Sequence, residues 1–278
     1  VAMLERQNAA DAGATQDQLS RIAIVKFAGQ AYDSNYANYN ANGGNHTYRY
    51  SSQYPNMQYT EVRADLGVVT QGANATSWKQ VVSTLGVSGF TAADYGMGYA
   101  NAIVTRHDED HNYTDPNAED YRSRVVVLFT DGEPNHLTGF DGDVANATVT
   151  AAGTLKGKGV TVYSIAVYNG ASTAEPPTTN INRYLHAVSS NFPSATGYAD
   201  GARGTRGDGN YYYVAESADQ LEAIFKQIGQ SSGSSTSTLG SEAVMKDIVS
   251  SSFTLPEGAG EDDIHVKIVR WNTSTRKW

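Results

Sequence analysis

Val125-Val126-Val127-Leu128-Phe129-Thr130-Asp131-Gly132-Glu133-Pro134-Asn135 is the stretch on which the reading of this chain turns. Five apolar residues, three of them β-branched, run without a polar interruption into Thr-Asp-Gly-Glu-Pro. A short run of this kind, apolar at every position, suits a strand covered on both faces, as in a parallel sheet packed between helices. In such sheets ligands collect outside the carboxyl ends of the strands. Asp131 then falls on that rim, and Gly132 lets the chain turn sharply beside it.

Two further runs have the same character, Ile22-Ala23-Ile24-Val25-Lys26-Phe27 and Val160-Thr161-Val162-Tyr163-Ser164-Ile165-Ala166-Val167. Helical spacing lies between and after them. Trp78, Val81, Val82 and Leu85 share one face, as do Tyr95, Tyr99, Ala102 and Ile103 within 92–104. Val144, Ala147, Ala151 and Leu155 form a third face, followed by Gly157 and Gly159 as stop signals. Ser217-Ala218-Asp219-Gln220 reads as a capping box that opens a helix with Leu221, Ile224, Phe225 and Ile228 on one side, closed by Gly229. Tyr59 to Val69 partly alternates and follows a polar, Tyr- and Asn-rich stretch, so it reads as an antiparallel edge strand reached through a long surface loop. The expected fold is α/β: a doubly wound, mostly parallel sheet with helices on both faces.

Composition narrows the function. A net charge of −9 with no basic cluster makes a poor nucleic-acid binder, since phosphate contacts need Lys and Arg. It also argues against docking on anionic lipid. No apolar run approaches the roughly 20 residues that span a bilayer, so membrane insertion is not expected. The absence of cysteine removes disulfides, thiolate metal sites and Cys nucleophiles together. Abundant Tyr, Gly, Asn, Ser and Thr suggest an exported protein. Val1-Ala2-Met3-Leu4-Glu5-Arg6 has neither a leader nor an initiator Met, and the chain is expected to be excised from something longer.

The composition changes at Gln230. Residues 230–240 read as a Ser/Gly/Thr linker. Beyond it, Ser252-Phe253-Thr254-Leu255-Pro256 and Ile264-His265-Val266-Lys267-Ile268-Val269-Arg270-Trp271 look like strands. Residues 241–278 are expected to be part of a β-rich domain, too short to bury a core alone.

The Thr-Asp-Gly segment resembles the von Willebrand factor A family, in which such a strand end supplies an Asp to a metal-ion-dependent adhesion site. Other segments follow the family's order: Arg21 to Gly29 resembles its second strand, Gly89-Phe90-Thr91-Ala92-Ala93 its Gly-x-Thr loop before a helix, and Gly159 to Val167 the strand after Thr-Asp-Gly. The resemblance covers 1–229. It implies that the Thr91 hydroxyl and the Asp131 carboxylate hold one divalent cation, Mg²⁺ or else Mn²⁺ or Ca²⁺, since both are hard oxygen donors. A vacant position on the ion would take a carboxylate oxygen from a partner. The family's first metal motif, Asp-x-Ser-x-Ser, and the strand before it do not occur here. They are expected upstream; the alternative is a copy that has lost its site. The bland readings are that Thr91 caps a helix and that Asp131 is an ordinary turn residue.

Three other features compete for attention. His107-Asp108-Glu109-Asp110-His111 could bind zinc if helical, giving a zinc hydrolase, but its context reads as a solvated charged loop. Arg206-Gly207-Asp208 lies in a Gly-rich exposed loop and resembles integrin-binding tripeptides, a match three residues long that arises easily by chance. Residues 31–58 carry Tyr36, Tyr39 and Tyr48 among Asn and Gly, a mixture found in binding surfaces; an insertion packed on its own domain explains it equally well. No nucleophile elbow, phosphate loop or His-Glu-x-x-His is present, and an enzyme is not expected.

By resemblance, the chain is expected to be an adhesion module of a pilus-tip or wall-anchored surface protein of a Gram-positive bacterium. Its partners would be a host extracellular matrix protein or cell-surface receptor, and other pilus or surface-protein subunits. A metal-free scaffold of a surface protein, or of an intracellular chelatase-like assembly, is the alternative.

Overall fold

The computed structural model describes residues 1–10, 19–33, 35–41, 45–86, 88–110 and 122–232. All of these belong to the first of two units, Val1–Ser234. The expected β-rich segment 241–278, and the linker beyond residue 232, lie outside the described residues.

The elements run in the order α1 (Ala2–Ala10), β1 (Arg21–Lys26), a 3-10 turn at Tyr36–Asn38, β2 (Thr47–Tyr48), β3 (Met57–Gln58), β4 (Glu61–Val68), α2 (Ala73–Ser83), α3 (Ala93–Asp110), β5 (Val125–Thr130), α4 (Gly142–Gly157), β6 (Thr161–Ala166), α5 (Asn180–Val188), α6 (Asp200–Arg203), β7 (Tyr212–Val214) and α7 (Ala218–Ser232). The protein is α/β. Its centre is a three-stranded parallel sheet in the order β5-β6-β7, with Val125 opposite Thr161 and Ala166 opposite Val214.

Strand β6 shows why this sheet is covered on both faces. Val162 and Ala166 point into a core with Leu128 of β5, Val149 and Leu155 of α4, and Leu185 of α5. Tyr163 and Ile165, one residue out of phase, pack instead on Ile224 and Ile228 of α7. The period-2 alternation of a strand therefore supplies both cores from one apolar run. Helix α4 starts where Asp141 accepts hydrogen bonds from the N–H groups of Asp143 and Val144. It stops at Lys158, with Gly159 in the left-handed region at φ 77°.

β1 and β4 form a separate antiparallel pair, from Arg21 opposite Val68 to Lys26 opposite Glu61. The reversed strand expected at 59–69 is thus present. β1 is not hydrogen-bonded to β5, and five of its six residues are only half-buried; in β5 three residues are half-buried and Phe129 is exposed, so the expectation of a strand enclosed on both faces holds for β6 but not for these two.

Three further expectations are corrected. Gly229 does not close α7, which continues to Ser232 and takes in the start of the expected linker. At Gly229, a β-carbon would lie 2.3 Å from Sδ of Met3 on α1, so the missing side chain serves close helix packing. The segment from His107 to Asp110 is the last turn of α3 rather than a loop. It is pinned there by Asp108 to Arg124 (2.6 Å) and His107 to Asp65 (3.3 Å). On α2, Val82 is 48% exposed, so the face read from Trp78 to Leu85 is not fully buried.

Candidate functional site

The rim at the end of β5 is built by one short turn and one borrowed loop. The Thr130 hydroxyl accepts from the N–H of Gly132 and donates to its carbonyl, both at 3.2 Å, which tightens the Thr-Asp-Gly turn. The Asp131 side chain is left exposed. Four residues on, Asn135 exchanges backbone hydrogen bonds with Thr91: Thr91 N–H to Asn135 C=O at 3.1 Å, and Asn135 N–H to Thr91 C=O at 3.0 Å. The next residue, Ala92, donates its N–H to the carbonyl of Ala28, just past the end of β1. The Gly89–Ala92 loop is therefore tied to the carboxyl ends of both β1 and β5. It can sit that close because Gly89 has φ 151° and a β-carbon there would meet Cβ of Ala28 at 2.9 Å.

This arrangement brings Thr91 against the turn that carries Asp131. The Thr91 hydroxyl oxygen lies 3.6 Å from where a β-carbon on Gly132 would stand. It makes no capping bond to α3, so capping does not account for this threonine. Neither that hydroxyl nor the Asp131 carboxylate has a partner among the described residues. A free hydroxyl beside the Asp131-Gly132 turn, with an exposed carboxylate on that turn, is a partial fit to a hard cation that takes six or more oxygens, several of them water. Among the described residues no group of three or more His, Asp or Glu converges to hold a metal.

Tertiary structure adds neighbours that spacing along the chain does not reveal. Asp94, in the first turn of α3, pairs with His136 at 2.9 Å, and His136 stacks on Tyr95 with ring centroids 4.7 Å apart. Phe90, next to Thr91, meets Tyr50 edge to face at 5.3 Å. Tyr50, Tyr54 and Leu137 are each more than 40% exposed. The only sequence hint of Asp94 was its place three residues after Thr91; nothing in the sequence hinted at His136.

The tyrosines of the long segment face mostly inward. Tyr39 is 6% exposed, its hydroxyl donates to Asp65 at 2.7 Å, and the Arg106 guanidinium lies 4.0 Å over its ring. Tyr36 meets Tyr99 edge to face at 5.0 Å. Burial pushes the Tyr36 phenol up to about 12 and the Tyr39 phenol higher still. Tyr48 is half-buried, and its hydroxyl accepts the Gln30 N–H at 3.2 Å. These contacts fit an insertion packed on its own domain; the exposed rings are Tyr32, Tyr50 and Tyr54.

Arg206 and Asp208 are exposed, as expected, but the loop is anchored. Gly207 N–H donates to Asn191 C=O at 2.8 Å, and the Arg206 guanidinium folds back onto the carbonyls of Gly207 and Gly209. His107 is engaged with Asp65, and His111 lies outside the described residues.

No helix among the described residues is long and apolar enough to cross a membrane. Comparison of the chain with protein families, with characterised proteins and with solved structures gives no match in any of the three.

Proposed function

We propose that the Thr91–Asp131 rim is a divalent-cation-dependent ligand site, and that the chain is an adhesion module of the von Willebrand factor A kind rather than an enzyme. The observation that carries this is the reciprocal backbone pairing of Thr91 with Asn135, which sets an unpartnered hydroxyl beside the Asp131 turn. Its position at the carboxyl end of a parallel strand is where α/β sheets place ligands. Thr91 would hold the ion through its hydroxyl, and Asp131 directly or through water. Mg²⁺ is the first choice, with Mn²⁺ or Ca²⁺ as substitutes. When bound, the ion supplies an open position for a carboxylate oxygen of the partner.

In this reading β4-β1 and β5-β6-β7 are the two halves of one doubly wound sheet. The strand between them, with the remaining oxygen ligands, comes from outside the described residues. The partner is a host matrix protein or receptor, and the setting is the pilus or cell wall of a Gram-positive bacterium, with other surface subunits as neighbours. The shortage of converging donors favours a second reading, a metal-free scaffold of the same fold.

Isothermal titration of Mg²⁺ and Mn²⁺ into the wild-type chain, Asp131→Ala and Thr91→Ala separates the two. Binding that either variant abolishes supports the cation site. Heat-silent titrations of all three chains favour the scaffold.

A further inference from the structure

One buried carboxylate on β4 faces three basic side chains. Glu61 is 2% exposed. Its Oε1 lies 2.7 Å from Lys26 Nζ and 3.9 Å from Arg63 Nη1, and its Oε2 lies 2.5 Å from His46 Nδ1. The next acidic residue of the strand, Asp65, is already shared by the Tyr39 hydroxyl at 2.7 Å, Arg106 at 3.1 Å and His107 at 3.3 Å. The other groups on Lys26, Gln58 Oε1 at 2.9 Å and Asn45 Oδ1 at 3.4 Å, carry no charge. Lys26 and Arg63 thus set two positive charges against the single negative charge of Glu61, and protonation of His46 adds a third. A chain of net charge −9 holds a local surplus of positive charge in its interior.

The surplus is unmet at Arg63. Its side chain is 8% exposed, and its 3.9 Å separation from Glu61 is too long for a hydrogen bond. Nε and Nη1 of Arg63 are buried and have no hydrogen-bond partner among the described residues. A guanidinium cannot escape by giving up its proton, as a buried lysine can. A move of Glu61 toward Arg63 would take it away from Lys26 or His46. Lys26 already registers the competition: burial, and after it the charge of Arg63, hold its ammonium below the ordinary range despite the pull of Glu61. Buried charges persist in folded proteins when they are paired and hydrogen-bonded, and Arg63 is neither.

We propose that Arg63 binds a small monovalent anion, chloride in ordinary buffers, as the missing partner of this cluster. The free atoms are both donors, so the ligand is a pure acceptor. A single negative charge balances the surplus that Lys26 and Arg63 leave over Glu61. Sulfate or phosphate would bring a second charge into the interior and a larger desolvation cost. The site belongs to the β1–β4 pair and does not depend on the cation rim at the end of β5.

The test has two parts, both on the full chain. Thermal unfolding is followed in sodium chloride and in sodium gluconate at equal ionic strength, which keeps general screening the same. Crystals grown in sodium bromide are examined for anomalous scattering. The unfolding midpoint is expected to rise saturably with chloride and not with gluconate, as for any ligand that binds only the folded state. A bromide peak is expected in contact with the Arg63 guanidinium. Arg63→Met keeps a long unbranched side chain and removes the charge. It should retain the wild-type circular dichroism spectrum, unfold at the same midpoint in both salts and lose the bromide peak. Equal wild-type midpoints in the two salts, a folded Arg63→Met that keeps the chloride dependence, or a wild-type map without bromide at Arg63 would overturn the assignment. The wild-type map decides alone if Arg63→Met does not fold.

Discussion

The hydroxyl oxygen of Thr91 and the α-carbon of Gly132 come from residues 41 apart in the chain, yet a β-carbon on Gly132 would touch that hydroxyl at 3.6 Å. The contact is of ordinary van der Waals length, and Gly132 is not in the left-handed region. Gly132→Ala should therefore fold normally but place a methyl group where the cation and its waters would sit. Affinity for Mg²⁺ should fall about tenfold, a change of ~1.4 kcal/mol, with an unchanged unfolding midpoint. Equal Mg²⁺ isotherms for the variant and the wild type would remove Gly132 from the site.

Asn182 of α5 is a buried hub. Its Oδ1 accepts from Tyr212 at 2.8 Å, Tyr168 at 2.5 Å and the Ser172 N–H at 3.1 Å. Tyr212 is fully buried, so in Asn182→Ala its hydroxyl loses this acceptor and keeps only the Tyr168 hydroxyl and the Ser172 backbone. The loss should be on the order of 1–3 kcal/mol, the cost of hydrogen bonds removed from buried groups. Urea unfolding measures it; a loss below about 1 kcal/mol would mean that the loop after β6 re-forms these bonds elsewhere.

Gly229 and Gly159 do different work, and substitution separates them. Gly159 has φ 77°, so Gly159→Ala should cost about 1 kcal/mol in left-handed strain. Gly229 lies inside α7, where alanine is the better helix former, and the tip of Met3 can swing away from one methyl. Gly229→Ala should be near neutral. Gly229→Leu should overpack the contact with α1 and cost about 1–3 kcal/mol. The midpoints of denaturant unfolding of the three variants report the order directly. A costly Gly229→Ala would mean that Met3 is held in place and cannot move away from the added methyl.

Local patterns carried much of this fold, and the failures have physical causes. β5 and β6 were readable because their apolar runs are short and β-branched, and α4 because its apolar face repeats at helical spacing. β7 has three residues, too few for a period, whereas α5 went unread although Ile181, Tyr184, Leu185 and Val188 recur at helical spacing. The same Gly that stops one helix lets another helix approach, and the sequence near Gly229 does not say which. Lys26 looked like an interruption of an apolar run; its buried partner is 35 residues away. Thr91 and Asp131 could be proposed together from their order along the chain. The Asp94–His136 pair could not, because only the packing of α3 against the turn after β5 brings it about.

His186 gives the fold a pH dependence whose sign can be worked out. It is 1% exposed, and burial, followed by the nearby Arg203 and Arg206, pushes its pKa down to about 4. The Glu175 carboxylate, 3.0 Å from Nδ1, opposes this but is itself partly exposed. The folded protein thus holds a neutral imidazole, whereas the unfolded chain protonates near the ordinary histidine value of about 6.5. Between those two values the unfolded state binds more protons, so stability rises with pH. The contribution is complete above about pH 6.5 and is lost progressively as pH falls toward 4, to a limit of about 3 kcal/mol. His186→Gln, which cannot take up a proton, should show a flatter decline in its urea midpoint between pH 7.5 and pH 5 than the wild type. Parallel declines would mean that His186 keeps an ordinary pKa. A steeper decline in the variant would mean that the Glu175 ion pair prevails and that the imidazole is protonated in the fold.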